Sequence, residues 1–174
     1  AVAGHCFTLA DGQVFYLGDG VTVTCLAVNC NGEIAQPHDE NSLENEYCVA
    51  LLVQCGDFDY FQAGDLIGTD ASGHVDIETS VAQDLIALDL ADVEVYKVNH
   101  HGSYTSSNAA LLNALSAEVA VISVSATNSY GHPHEDPMLR LLARDVFVYQ
   151  TTPGNGYVLP DGRAYFDSQR GTFT

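Results

Sequence analysis

The segment "YKVNHHGSYTSSNAALL", residues 96–112, runs from a β-rich stretch through two adjacent histidines and a glycine into small hydroxyl residues, then into an apolar pattern of helical spacing. A strand that ends in His-His-Gly delivers its imidazoles to the edge of a sheet, and in layered α/β proteins the carboxyl ends of strands are where ligands are met. The pair points to a metal or phosphate site. The strand-turn-helix order points to a sheet covered by helices.

The same alternation continues on both sides of this segment. Upstream, "DIETSVAQDLIALDL" has apolar residues near helical spacing and acidic residues in its first turn, where the helix dipole favours them. Downstream come a helix in "SSNAALLNAL" with a serine or asparagine cap, a strand in "VAVISV", a helix in "DPMLRLLAR" with proline in its first turn, and a strand in "VFVYQT". The first half is β-rich: "QVFYL" (13–17), "VTVTCLAV" (21–28) and "YCVALLVQ" (47–54) are strand-like. "VQCGDFDYFQAGD" is a hairpin around Gly56 and Asp57 that ends at Gly64 and Asp65. The polar stretch between the second and third strands reads as a long loop, "TDASGH" as a shorter one, and "GYVLPDGRAYFD" as a closing hairpin around Asp161 and Gly162. A β-rich half followed by βαβαβ makes a single α/β domain over residues 1–174, a mixed sheet with helices on one side. "YCVALLVQ" and "VAVISV" are apolar at both alternating positions, the pattern of strands covered on two faces.

With 174 residues the chain can bury roughly 70% of its unfolded surface in one core. No apolar run approaches the roughly 20 residues of a membrane span. The chain opens on Ala1 rather than Met and shows no leader pattern, as expected of a piece of a longer protein. Five Lys and Arg against 23 Asp and Glu give a net charge of −18, and Lys97 is the only lysine. Such a surface repels polyanions, so duplex binding needs positive charge from a metal or a partner; a saline or acidic habitat accounts for the acidity equally well. The five cysteines (Cys6, Cys25, Cys30, Cys48 and Cys55) include no C-x-x-C pair, which argues against a zinc ribbon. Cys25, Cys48 and Cys55 lie in or beside strand-like segments and are expected to be buried and reduced.

Histidines and acids fall after strand-like runs in three places: Asp65 after "FDYFQAG", His100 and His101 after "VEVYKVN", and His132 with His134 in "NSYGHPHEDP". Taken singly, each has an ordinary reading as a turn residue or a hydrogen-bonded loop histidine. Together they form a carboxylate and imidazole set suited to zinc, manganese or iron. His5, His38 and His74 stand in polar loops and are expected to face solvent.

Three ordered runs, "NSLENEYCVALLVQCGDFDYFQAGD", "VEVYKVNHHGSYTSS" and "VAVISVSATNSYGHPHEDPMLRLL", resemble the second half of metallo-β-lactamase-fold hydrolases. Within that superfamily they are most similar to the domain attached to the ComEC-type competence DNA-uptake channel, over roughly residues 41–144. The resemblance implies the C-terminal half of an αββα sandwich. It also implies that Asp65 is a metal-bridging carboxylate and His101 the last histidine ligand, with His100 lining the site or replacing His101. His132 and His134 would contact substrate or assist proton transfer beside His100, and Ser103, Thr105 and Ser106 would donate hydrogen bonds to a phosphate. The His-x-His-x-Asp-His motif that supplies most of the superfamily's ligands is absent from this sequence. Asp65 and His101 alone make an incomplete site for a divalent metal, zinc first and manganese or iron next. An N-terminal half elsewhere in the parent is expected to complete the site and to cover the second sheet face; failing that, the chain is expected to self-associate through it.

The resemblance implies a metal-dependent hydrolase of phosphodiesters or related esters, with DNA as a substrate of the parent in competence-type uptake. The isolated chain is expected to be inactive. The alternatives are a phosphocholine-esterase-like secreted enzyme and a degenerate, non-catalytic module that mediates protein interaction.

Overall fold

The computed structural model describes residues 8–32, 44–69 and 74–152. His5, His38, Cys6, the hairpin expected within residues 156–167 and most of the two loops lie outside them.

Among the described residues seven strands and three helices follow one another as β1 (Val14–Gly18), β2 (Val21–Ala27), β3 (Ala50–Cys55), β4 (Phe58–Gln62), α1 (Ile77–Ala87), β5 (Val95–Lys97), α2 (Ala109–Leu115), β6 (Val119–Ile122), α3 (Glu135–Leu142) and β7 (Phe147–Gln150). The strands form one sheet in the order of the sequence, with β1 to β4 antiparallel and β4 to β7 parallel. The chain is therefore of the α/β class, with a mixed sheet as the alternation of patterns implied. Gly56 and Asp57 form the two-residue turn between β3 and β4, and Gly56 has the positive φ, 62°, that such turns demand.

Each parallel crossover moves one strand further in the same direction, and right-handed crossovers of that kind place every helix on the same face. The core agrees. Leu52, Phe61, Tyr96, Ala120, Ile122 and Val148 of the sheet share one buried cluster with Ile77, Val81 and Leu85 of α1, Leu111 and Leu115 of α2, and Met138 and Leu141 of α3. α1 starts at an Asp76 cap that accepts from the Thr79 amide, and α2 starts at an Asn108 cap that accepts from Leu111.

The other sheet face carries a continuous apolar row. Phe15, Val23, Val53, Tyr60, Val95, Val119 and Phe147 are partners in register, one from each of the seven strands. Phe147 is 65% exposed, and the other six are half-buried.

Three boundaries and two burial expectations are corrected. β3 begins at Ala50 rather than residue 47, because Glu44–Tyr47 close a 3-10 turn. β5 is only Val95–Lys97, because the backbone turns left-handed at His100 and His101 soon after it. α3 begins at Glu135, which places Pro137 at its third residue, still within the first turn. Cys55 is exposed, since it ends β3 beside the turn, whereas Cys25 and Cys30 are buried. His74 is largely covered, 13% exposed, and its Nδ1 stands 3.6 Å from Glu46 Oε1.

Candidate functional site

The parallel register sets Gln62, Lys97 and Val121 side by side, so the segments leaving β4, β5 and β6 emerge from one edge of the sheet. Asp65 comes from the first, His100 and His101 from the second, and Ser123 from the third. At that edge His101 Nε2 lies 3.5 Å from Asp65 Oδ1, with the two side chains 43% and 36% exposed. His101 Nδ1–H donates to the Ser123 carbonyl at 2.6 Å. That bond places a proton on Nδ1 and turns Nε2 toward the carboxylate, as the outer hydrogen bond of a metal-ligating histidine does.

His100, His101 and Gly102 are successive residues at φ 47°, 53° and 76°. Left-handed backbone costs roughly 1–2 kcal/mol at a residue with a Cβ, so two in a row persist only where surrounding contacts enforce them. Four contacts do so here. His100 N–H donates to Gly64 O at 3.0 Å, Ser103 N–H to His100 O at 2.8 Å and His134 N–H to Gly102 O at 2.8 Å, while Ser106 Oγ donates to Asn99 O at 2.9 Å.

The other nominated residues fall near the pair but differ in what their polar atoms are free to do. His100 Nε2 accepts from the Asn45 amide at 3.3 Å, so its Nδ1 carries the proton and donates to Thr105 Oγ1 at 3.2 Å; burial holds its pKa below the usual histidine range. His134 Nδ1 accepts from Tyr104 N–H at 3.0 Å and its Nε2 donates to Tyr130 O at 3.1 Å, so backbone groups occupy both nitrogens. His132 is the hub. Its ring stacks between Tyr130 and His101 with centroids 5.6 and 6.1 Å away, and meets His100 and His134 edge-on. It is 6% exposed, and burial, reinforced by the neighbouring imidazoles, lowers its pKa to about 4, so it is neutral at pH 7.

Ser103, Thr105 and Ser106 are buried, and their hydroxyls bond within the loop: Ser103 Oγ to Thr105 Oγ1 at 3.0 Å, Thr105 to His100, and Ser106 to the carbonyls of Asn99 and Ser103. These bonds hold the loop in shape. Sequence reasoning also passed over Asn45, which reaches His100, and Glu78 beneath the loop. Tyr130 was passed over as well; it is 76% exposed above His132. Its place inside "YGHPH" was the one available signal.

A carboxylate and an imidazole that share a tetrahedral zinc at ordinary bond lengths stand about 3.4 Å apart, so the Asp65–His101 spacing fits two ligands of one cation. The set stops there: among the described residues no group of three or more His, Cys, Asp or Glu side chains is placed to hold a metal. Lys97, half-buried on the helix-free face, is near enough to matter electrostatically. Burial lowers its pKa, and Asp65 opposes that shift. Among the described residues no helix is long and apolar enough to cross a membrane.

No protein-family model matches the chain. Competence protein ComA of Neisseria gonorrhoeae is 29% identical over 140 residues, 79% of this chain and 19% of the relative. ComE operon protein 3 of Bacillus subtilis is 26% identical over 115 residues, 66% of this chain and 13% of the relative. Recombination protein 2 of Haemophilus influenzae is 28% identical over 110 residues, 63% of this chain and 12% of the relative. The chain thus spans about a fifth or less of the length of these relatives. It is similar, at low identity, to a part of each of these three proteins, one of them named for competence.

Proposed function

We propose that the chain is one half of a catalytic domain within a larger, metal-dependent phosphodiester hydrolase, and that the whole protein acts on DNA in competence. The observation behind this reading is the Asp65–His101 pair, set 3.5 Å apart at the sheet edge with the outer nitrogen of His101 locked to a carbonyl. The similarity to a protein named for competence supports placing the parent in competence, and the resemblance of the sequence to the DNA-uptake domain supports the choice of DNA over other esters.

Asp65 and His101 would hold the cation, with further donors coming from parent segments outside this chain. A bound divalent ion supplies a hydroxide near neutral pH and offsets charge on the phosphate oxygens. The chain's own residues orient and exclude. His101 is held by Ser123, the paired left-handed residues aim both imidazoles off the edge, and His132 walls the site with Tyr130 outside it. Because His132 is neutral, its part in proton traffic is that of an acceptor rather than a cationic clamp. His100 and His134 serve through their bound nitrogens, as props.

The test is hydrolysis of a single-stranded oligonucleotide by the longer parent protein, with zinc or manganese added. Asp65→Asn and His101→Ala should each abolish metal-dependent cleavage. A parent that cleaves nothing under these conditions, or cleaves equally well in both variants, would overturn the reading. A second reading, a non-catalytic interaction module, is favoured by the two-donor limit and by the apolar row across the helix-free face.

A further inference from the structure

Glu78 of α1 is completely buried, and the ion pairs found among the described residues, His74–Glu46 and His101–Asp65, do not include it. Its carboxylate is surrounded by donors instead. Oε1 accepts from Asn99 Nδ2 and from Ser107 N–H, each at 2.7 Å, and Oε2 accepts from Asn108 N–H at 2.6 Å. A buried carboxylate is tolerated only when its lone pairs are taken up, and here three donors from one loop do so. Gly68 makes the room, since a Cβ there would lie 2.0 Å from Glu78 Oε2.

The three donors bracket the strained turn. Asn99 immediately precedes His100, while Ser107 and Asn108 close the loop that follows His101 and open α2. We propose that Glu78 is the positioning residue that holds His100 and His101 in their left-handed conformation, acting through Asn99 on one side and the Ser107 and Asn108 amides on the other. The inference rests on reading this sheet edge as the functional site. The chemistry explains why glutamate stands here. All three partners are N–H donors, so an ionised carboxylate, whose two oxygens only accept, matches the position. A glutamine would turn its own NH2 toward one of them. Tyr96 extends the clamp: its hydroxyl accepts from the Asn99 amide at 2.9 Å and pairs with Ser107 Oγ at 2.8 Å.

The test uses the 174-residue chain and nitrogen-15 spectra of its imidazoles, which report the Nδ1–H tautomers of His100 and His101 without metal or substrate. Glu78→Ala should lose both tautomer signatures, whereas Val81→Ala, a core truncation on the same helix, should keep them. Retention in Glu78→Ala, or loss in both variants, would overturn the proposal. Should Glu78→Ala not fold, Glu78→Gln decides: a displaced His101 signal supports the clamp and an unchanged one overturns it. Because the readout needs no activity, failure of the clamp and failure of the hydrolase reading are told apart.

Discussion

Gly102 lies so close to Pro133 that a Cβ added to it would come within 2.8 Å of the Pro133 Cβ. The contact locks the His-His-Gly turn against the "GHPH" loop, so His101 and His132 come from separate segments yet stack. Gly102→Ala would add this clash to the cost of a left-handed alanine at φ 76°. The expected loss is roughly 2–4 kcal/mol, measured by urea denaturation. A loss under about 1 kcal/mol would mean that the two loops are not tightly joined.

The isolated chain is expected to bind zinc weakly. Complete structural sites gain about 10–16 kcal/mol from the metal, and two donors leave most of the coordination to water. Calorimetry on the purified chain should give no tight one-to-one binding, and His101→Ala should remove what binding there is. Tight stoichiometric uptake would require a donor beyond Asp65 and His101.

Two buried groups pull stability in opposite directions over one pH range. His132 falls from an ordinary 6.5 to about 4 in the folded chain, so between those values the unfolded state binds more protons and stability rises with pH. Burial raises Glu78 from 4.5 to about 7, so there the folded state binds more protons and stability falls as pH rises. Compared with the unsubstituted chain, His132→Asn should show a more negative slope of stability against pH between about 4.5 and 6.5, and Glu78→Gln a more positive one. Denaturation midpoints at four or five pH values would settle both signs. Identical slopes in all three proteins would refute the shifts.

The apolar row on the helix-free face predicts association of the chain when it is alone. At a net charge of −18 the copies repel one another, so the dimer should tighten as salt screens that repulsion. Val95→Glu, in the middle of the row, should keep the chain monomeric. Light scattering across a salt series tests this, and a monomer at high protein concentration in roughly 1 M salt would count against a second layer on that face.

The order of strands and helices was legible because each carries its own period, and adjacency at the sheet edge followed from parallel βαβ connections. What escaped the sequence depends on contacts between distant segments. Glu78 looked like an ordinary acidic residue in a helix's first turn, and its burial arises only when residues 99–108 fold over it. His74 looked like a loop residue, yet Glu46, 28 positions earlier, lies against it. Ser103, Thr105 and Ser106 advertised hydroxyls without saying whether they point out or in. Asn45 was hidden in a stretch read as a long loop, because the 3-10 turn that brings it to His100 leaves no strong periodic signature.

Because each of the seven described strands joins the sheet beside its predecessor, the fold can grow in the direction of synthesis, one ribbon at a time. His101 arrives with β5, but the Ser123 carbonyl that orients its ring comes only after β6 has been laid down. A nascent chain halted at Leu115 would hold both histidines and Asp65 and still lack an aligned imidazole. The site's final alignment therefore falls late in the polypeptide's emergence, after most of the sheet that supports it is already in place.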